Sequence, residues 1–404
     1  MKKIFNRKIK IKHLLVLLLL IAVLSLIGYK SINSSKSTLT QREKVEDFLY
    51  MYDVIEKSYP YLEVNKRVNN VDWLANKDNY LARIKNTKND EEFINEFNNI
   101  LADLNNGHTH LINNSALFEL FNDAYSKLGW YDFFDDNVVK KRYKDLGETD
   151  IPNKIFSEED LILKDIVEEK VGYIFLPQMA PRGKSIEEDM NVISKYIKTL
   201  ENHEAIVIDI RGNSGGSDEY WTEVISRIIP NSYNTSGYIL YRDSDIITNY
   251  IKSRNINTED IGDLPKEIVS NGPDEIMSEF KYFIKNDRLI NRKDSINFKG
   301  NIYLLVDNVV YSAAESFSIF CKENDVATVI GEITGGDGGG YDPILFNLKN
   351  SGLIVRMAGD MYLTDSGVCN EEFKTIPDYI IENPKRTNNF SDDKCINKVL
   401  ELIQ

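Results

Sequence analysis

The segment Asp307-Asn-Val-Val-Tyr-Ser-Ala-Ala-Glu315 places a serine between an apolar strand pattern and a helical pattern. The first N–H groups of a helix are unpaired and carry a partial positive charge. An oxyanion formed when Ser312 attacks a carbonyl would be stabilised there, with the N–H of Ala313 as one donor. A serine at this position can instead only cap the helix, and the segment by itself leaves both roles open.

A glycine-rich turn, Asp209-Ile-Arg-Gly-Asn-Ser-Gly-Gly216, follows another apolar strand pattern. Glycine lets the backbone approach a ligand closely, so Gly215 or Gly216 is expected to supply a second oxyanion donor. The alternative is simply a tight turn. The turn also contains the Gly-x-Ser-x-Gly pattern of the α/β-hydrolase nucleophile elbow. In that fold the histidine follows the serine, whereas every histidine here precedes Ser214, so Ser214 is only a minor alternative.

A serine nucleophile needs a base, and the chain has four histidines: His13, His108, His110 and His203. His13 lies in a basic N-terminal segment, and His203 lies in a charged turn where a solvated role is expected. Gly107-His-Thr-His110 therefore carries the candidate bases. Its alternatives are a polar turn without a catalytic role and an H-x-H metal site. No further ligands are identifiable, so we expect no metal.

A second glycine-rich segment, Gly331-Glu-Ile-Thr-Gly-Gly-Asp-Gly-Gly-Gly340, lacks the G-K-[ST] ending of a phosphate-binding P-loop. We expect it to line a substrate site, and we expect no cofactor.

The elements that must position these residues alternate between strand and helix from Val171 onward. Such alternation is typical of an α/β fold with parallel strands, whose ligands bind beyond the carboxyl ends of the strands. The predicted strands are 171–176, 205–210, 302–307 and 327–331, and the predicted helices include 218–229 and 312–324. Residues 230–300 are expected to form a polar, loop-rich insertion with short helices.

The N-terminal part is predicted to be helical, because apolar residues recur at helical spacing and Asn89 with Glu92 fits a capping box. The predicted organisation is a signal peptide or signal anchor at 1–28, a linker at 29–40, a helical domain at 41–112, a connecting segment at 113–170, an α/β catalytic core at 171–385 and a C-terminal tail at 386–404.

Six basic residues precede an apolar run from Leu14 to Ile27, the pattern of an export signal. This segment predicts either a membrane anchor with an extracytoplasmic catalytic domain or a secreted protein. The net charge of -14 argues against a nucleic-acid partner. Cys321, Cys369 and Cys395 are too few and too widely spaced for a disulfide framework or a zinc site.

Four motifs in this order resemble those of the tail-specific, or C-terminal processing, peptidases and the related tricorn core. They are Leu104-Asn-Asn-Gly-His-Thr-His110, Ile208-Asp-Ile-Arg-Gly-Asn-Ser-Gly-Gly216, Ser312-Ala-Ala-Glu315 and Gly331-Glu-Ile-Thr-Gly-Gly336. The resemblance implies a ClpP/crotonase-like α/β core with a small N-terminal helical domain. It also implies hydrolysis of a peptide or protein substrate.

The sequence departs from the processing branch in two places. That branch takes its lysine base from a T-x-G-K segment, and the corresponding Thr334-Gly-Gly-Asp337 ends in Asp337. It also carries a PDZ domain, for which the interval 111–170 shows no glycine loop. The tricorn branch uses a histidine and a late glutamate instead, which correspond here to His108 and Glu371, with His110 and Glu372 as the other choices.

The resemblance therefore implies a serine peptidase in which His108, oriented by Glu371, activates Ser312 while N–H groups of Ala313 and Gly215 or Gly216 hold the oxyanion. We expect Asp209, Arg211 and Glu315 to be structural, because buried charges normally need partners. Two alternatives stay open. One is a non-catalytic ligand-binding module, like the interphotoreceptor retinoid-binding modules that resemble this fold. The other is an esterase or amidase that acts on a non-peptide substrate.

Overall fold

The computed structural model of the chain describes residues 39–126, 131–147, 160–183 and 185–404. The predicted signal segment at 1–28 lies outside these ranges, as does the predicted linker apart from its last two residues. Within the described ranges, we find no helix with the length and apolar character needed to cross a membrane.

Helices dominate the N-terminal part. They are α1 (Gln41–Ser58), α2 (Leu62–Asn69), α3 (Lys77–Lys85) and α4 (Asp90–Ala102). The side chains of Thr40 and Asn89 accept hydrogen bonds from the first-turn N–H groups of α1 and α4, so Asn89 begins the helix that the sequence predicts. The buried faces of these helices share one hydrophobic cluster with residues between 238 and 369, so they pack directly against the rest of the fold.

The segment after α4 contains β1 (His110–Ile112), α5 (Ser115–Tyr125) and α6 (Asn137–Leu146). Strand β1 joins β12 (Ile344–Asn347) and β13 (Ile354–Met357) in a three-stranded antiparallel sheet with β13 in the middle. This sheet places the Gly107–His110 turn beside late parts of the sequence.

The central sheet has six strands, which are β2 (Ile162–Val167), β3 (Val171–Phe175), β4 (Ala205–Asp209), β10 (Asn301–Val306), β11 (Thr328–Gly331) and β15 (Tyr379–Ile380). Their order across the sheet is β15-β11-β10-β4-β3-β2. All neighbours pair in parallel except β2 with β3. Helices α7 (Ile186–Thr199), α8 (Asp218–Ile225) and α12 (Ala313–Glu323) follow β3, β4 and β10. The predicted α/β core is therefore confirmed.

Residues 230–300 contain several β-strands, whereas the sequence predicts a loop-rich insertion with short helices. Strands β6 (Gly237–Tyr241), β7 (Glu259–Asp260) and β8 (Tyr282–Lys285) form a four-stranded sheet with β14 (Met361–Thr364), and β5 (Tyr233–Thr235) pairs with β9 (Arg288–Ile290). Short helices α9 (Asp245–Ser253), α10 (Lys266–Asn271) and α11 (Ile276–Glu279) connect these strands. The chain ends with α13 (Asn370–Phe373) and α14 (Lys394–Leu402).

The carboxyl ends of β4 and β10 lie side by side in the central sheet, with Asp209 opposite Leu305. The two turns that follow these strands are consequently neighbours. The backbone N–H of Gly212 donates to Asp307 at 3.0 Å, and that of Tyr311 donates to the carbonyl of Asn213 at 3.3 Å. These contacts bring both serine-bearing turns to one edge of the sheet.

Candidate active site

Ser312 stands at the start of α12 in a backbone conformation that non-glycine residues rarely adopt, with φ 56° and ψ −124°. Its N–H donates to the carbonyl of Gly336, and its carbonyl accepts from Ser316. The side chain makes no capping hydrogen bond to the helix. The interpretation of Ser312 as only a helix cap is therefore wrong, and the hydroxyl is available for other chemistry.

A cleft of about 500 Å³ opens beside this serine. Its lining includes Ser312, Ala313, Gly216, His108 and Asp337. These residues come from the two turns after β4 and β10, from the turn before β1 and from the glycine-rich loop after β11. The fold thus brings together Ser312 and His108, which are distant in sequence.

His108 is buried, and its Nδ1 lies 2.7 Å from Oδ2 of Asp337. Its backbone N–H donates to Oδ1 of Asn106, which fixes the turn. Burial lowers the pKa of His108, and Arg356 adds to this, while the charge of Asp337 opposes it. The imidazole is therefore neutral at pH 7. With Nδ1 donating to the carboxylate, Nε2 is left as the proton acceptor.

Asp337 is held by donors from three parts of the fold. The hydroxyls of Tyr61 and Tyr311 donate to it at 2.9 Å and 3.0 Å, and the amide of Asn106 donates at 2.8 Å. Burial raises the pKa of Asp337, but His108 and the hydrogen bonds outweigh burial and lower it to about 2. The carboxylate is thus ionised and fixed in orientation, as a partner of a catalytic imidazole must be.

Glu371 does not occupy the place that the sequence predicted for it. Its Oε1 accepts from Asn106 at 3.1 Å, and its Oε2 accepts from Nζ of Lys374 at 2.9 Å. Asp337 is the carboxylate in contact with His108, so the prediction that Glu371 orients this histidine is corrected. Burial and the charge of Asp337 raise the pKa of Glu371 to about 8, although Lys374 opposes the shift.

The other candidate acid, Glu372, forms an ion pair with Arg67. Asp337 was missed because the sequence comparison treated its position only as the place of an absent lysine. The available signal was an acid inside the glycine-rich loop, at the position that corresponds to the lysine of the T-x-G-K segment. The backbone at Asp337 has φ 51°, a left-handed conformation that Asp tolerates better than most residues.

The other candidate bases and nucleophile lie elsewhere. His110 in β1 contacts the carbonyl of Gly107 through Nδ1 at 3.2 Å, and burial lowers its pKa to about 3. His203 pairs with Asp165. Ser214 is exposed, and it is not among the described residues that line the cleft. These positions favour His108 and Ser312 over the alternatives.

Of the three backbone N–H groups proposed as oxyanion donors, one already makes a hydrogen bond within the protein and two do not. The N–H of Gly215 donates to Oδ1 of Asn213 at 2.9 Å, so it is not available to a ligand. Among the described residues, the N–H groups of Ala313 and Gly216 have no hydrogen-bond partner, and both residues line the cleft. A Cβ on Gly215 would lie 2.8 Å from Cβ of Ser312, which explains the glycine there.

The residues expected to be structural are buried and have polar partners. Arg211 forms ion pairs with Asp209 and Asp393 in the core below the cleft. Glu315 accepts from Asn370 at 2.8 Å and from Thr375 at 2.6 Å. These bonds tie α12, which carries Ser312, to the late segment that contains Glu371.

The sequence profile of peptidase family S41 matches residues 170–381. The match covers more than half of the chain. The chain belongs to peptidase family S41. The family predicted from the four motifs is thus confirmed, and the enzyme is a serine-type peptidase. Among curated protein sequences, none matches it.

Solved structures share the fold of this S41 peptidase. A candidate peptidase from Parabacteroides merdae ATCC 43184 has 19% identity and a TM-score of 0.57, over 89% of this chain and 96% of that chain. Mature CPAF has 13% identity and a TM-score of 0.57, over 90% and 98%. CPAF in complex with lactacystin has 13% identity and a TM-score of 0.58, over the same shares. At these identities the likeness concerns the fold.

Proposed function

We propose that this S41 peptidase cleaves peptide bonds through an acyl-enzyme on Ser312, with His108 as general base and Asp337 as the acid that orients it. The single observation that carries the proposal is the 2.7 Å contact between His108 and Asp337 in the cleft that Ser312 lines. A buried, neutral imidazole fixed by an ionised carboxylate is the arrangement that activates a serine hydroxyl.

In the first step, Nε2 of His108 takes the proton of the Ser312 hydroxyl as the oxygen attacks the substrate carbonyl. Asp337 stays ionised and stabilises the imidazolium that forms. In the second step, His108 returns the proton to the leaving amine, and the C–N bond breaks. Water, deprotonated by His108, then attacks the ester on Ser312. The bond between the acyl carbon and the serine oxygen breaks, His108 returns the proton to that oxygen, and the acid product is released.

The N–H groups of Ala313 and Gly216 stabilise the negative oxygen of the tetrahedral intermediate. Both donors are fixed before the substrate binds, because Ala313 begins α12 and Gly216 is held beside Met179, with the N–H of Ser217 donating to the Met179 carbonyl at 2.6 Å. Gly215 contributes differently. It allows the close approach between the two turns, and its own N–H holds Asn213.

Glu371 acts as a positioning residue through Asn106. The side-chain amide of Asn106 donates hydrogen bonds to both Glu371 and Asp337, so the two carboxyl groups together fix the orientation of this amide. Burial and the charge of Asp337 raise the pKa of Glu371 to about 8, which favours its protonated form at pH 7 and limits the negative charge beside Asp337. Asp337 can then act as the sole charged partner of His108.

A peptide mixture of defined sequences, analysed by mass spectrometry after incubation, tests the proposed reaction. We expect new fragments with the parent enzyme and none with Ser312→Ala. A matched set of simple carboxylic esters and aryl amides separates the alternatives. Turnover of esters without any peptide cleavage would indicate an esterase, and binding without turnover of either set would indicate a ligand-binding module.

The location of the enzyme is proposed from its N-terminal sequence. The basic residues before the apolar run 14–27 favour an exported catalytic domain, either membrane-anchored or released. Fractionation of cells that express the full chain tests this proposal. Activity in the membrane or outside the cell is expected, and activity confined to the cytoplasm would contradict it.

A further inference from the structure

Arg356 is a cleft residue that the proposed reaction does not use. It lies in β13, directly opposite His110 of β1, two residues from His108. Its side chain lines the same cleft as Ser312 and His108. The question is which group balances the positive charge of this arginine in the cleft.

The guanidinium of Arg356 is held in place by uncharged partners. One face packs over the ring of Phe121 at 5.5 Å, and Tyr125 is a close neighbour that also lines the cleft. Its Nε is buried and forms no hydrogen bond within the described part of the chain. These contacts fix the planar group while leaving donors unused.

The charges that neighbour Arg356 are already paired with each other. Asp337 contacts His108, and Asp342 pairs with Arg254. Arg288, which lines the same cleft, forms an ion pair with Asp218. Among the described residues, Arg356 has no ion pair with a carboxylate. Removing a cation from water without such a partner is unfavourable, and a carboxylate bound in the fork of the guanidinium would offset that cost.

We propose that Arg356 binds a carboxylate of the substrate on the leaving-group side of the scissile bond. This inference rests on the proposed reaction, in which His108 delivers a proton to the leaving amine, so the leaving peptide lies on the histidine side of the cleft. The carboxylate belongs either to an acidic side chain just after the scissile bond or to the C-terminus of a short leaving peptide.

Such binding couples recognition to catalysis. The positive charge of Arg356 contributes to the lowered pKa of His108. A bound carboxylate neutralises that charge, so the basicity of His108 rises when a suitable substrate is present. Substrates that lack the carboxylate leave the histidine a weaker base.

A binding experiment separates this inference from the reaction itself. Immobilised Ser312→Ala protein is incubated with one synthetic peptide mixture in three forms, and the retained peptides are counted by mass spectrometry. The forms have free C-termini, amidated C-termini, or Gln and Asn in place of all Glu and Asp. We expect about 10- to 100-fold weaker retention of the form that lacks the recognised carboxylate, the range typical of a charged hydrogen bond.

The amidated form reports on the C-terminal source and the Gln and Asn form on the side-chain source. In Ser312→Ala/Arg356→Gln the difference between forms should disappear, whereas Ser312→Ala/Arg288→Gln should keep it, because Arg288 already has Asp218 as a partner. Ser312→Ala/Arg356→Lys retains the charge and should keep part of the preference even if the Gln variant folds poorly.

Two results would overturn the role of Arg356. One is equal retention of the three peptide forms by Ser312→Ala, or no retention of any form. The other is an unchanged preference for the carboxylate in Ser312→Ala/Arg356→Gln. Neither result depends on turnover. A parent enzyme that cleaves no peptide would contradict the proposed function instead, and the carboxylate preference would still be measurable.

Discussion

The Nδ1 atom of His108 and the Oδ2 atom of Asp337 are 2.7 Å apart, although 229 positions separate the two residues in sequence. The turn before β1 supplies the histidine, and the glycine-rich loop after β11 supplies the acid. Tyr61, from the N-terminal helices, donates to the same carboxylate. The helical part of the chain therefore completes the site that the α/β core begins.

Replacing Asp337 by Asn should lower kcat/KM by about 10²- to 10⁴-fold, because the amide cannot stabilise the imidazolium and favours the wrong tautomer of His108. Glu371→Gln should cost less than about tenfold, since a protonated glutamic acid and a glutamine both remain neutral there. Steady-state kinetics on one cleaved peptide compares the two. A larger loss in Glu371→Gln than in Asp337→Asn would return the orienting role to Glu371.

The pH profile of kcat/KM should rise with pH as His108 loses its proton, with a midpoint below the ordinary histidine value of 6.5. Burial is the first cause of this lowered pKa, and the negative charge of Asp337 opposes it. In Asp337→Asn the remaining activity should therefore show a midpoint at still lower pH. A midpoint above 6.5 in the parent enzyme, or an upward shift in Asp337→Asn, would contradict the assignment of His108.

Glu371 should make the protein less stable as pH rises. Its pKa is raised from 4.5 to about 8 in the folded state, so the folded chain holds a proton there that the unfolded chain has lost. The contribution is present below pH 4.5 and disappears through pH 8, with a size on the order of a few kcal/mol. Urea unfolding at pH 5.5 and 8.5 measures it.

The same pair of measurements on Glu371→Gln provides the control, since this variant lacks the titrating group. The decrease in unfolding free energy between the two pH values should be smaller in the variant than in the parent. An equal decrease in both proteins would show that Glu371 titrates with an ordinary pKa.

Gly215→Ala should reduce turnover by more than about 100-fold, because the new Cβ would lie 2.8 Å from both Cβ of Ser312 and the carbonyl oxygen of Tyr311. Gly212→Ala in the same turn is the matched control. Gly212 also has positive φ, but nothing lies within 4 Å of its Cβ position. It should lose about 1 kcal/mol of stability with turnover within a few-fold. Kinetics and thermal unfolding of both variants distinguish steric displacement from backbone strain.

The central part of the fold follows from local sequence. Strands such as Ala205–Asp209 and Asn301–Val306 are short apolar runs that end in turn residues, and each precedes a recognisable helix. The strands at 237–241 and 282–285 were not predicted, although Gly237–Tyr241 is fully buried. Polar residues surround them, and their partners β14 and β7 become neighbours only through the tertiary fold.

In the candidate site, too, some residues can be identified from local sequence and others only from the tertiary fold. Ser312 and His108 could be named as candidates because each lies in a motif with its own local pattern, and the structure places both in one cleft. Asp337 could not be ranked above Glu371 in the same way, because its role depends on the side chains of Tyr61, Asn106 and Tyr311 that converge on it. The sequence left Gly215 and Gly216 as alternatives for the second oxyanion donor. The structure favours Gly216, because the N–H of Gly215 already donates to Oδ1 of Asn213.

Labelling with a fluorophosphonate, followed by mass mapping of the adduct, tests the central claim most directly. We expect a single adduct on Ser312, formed at least 100-fold more slowly in His108→Ala and little changed in Glu371→Gln. Ser214→Ala should be labelled at the parent rate. An adduct on Ser214, or labelling of Ser312 that does not depend on His108, would contradict the proposed catalytic arrangement.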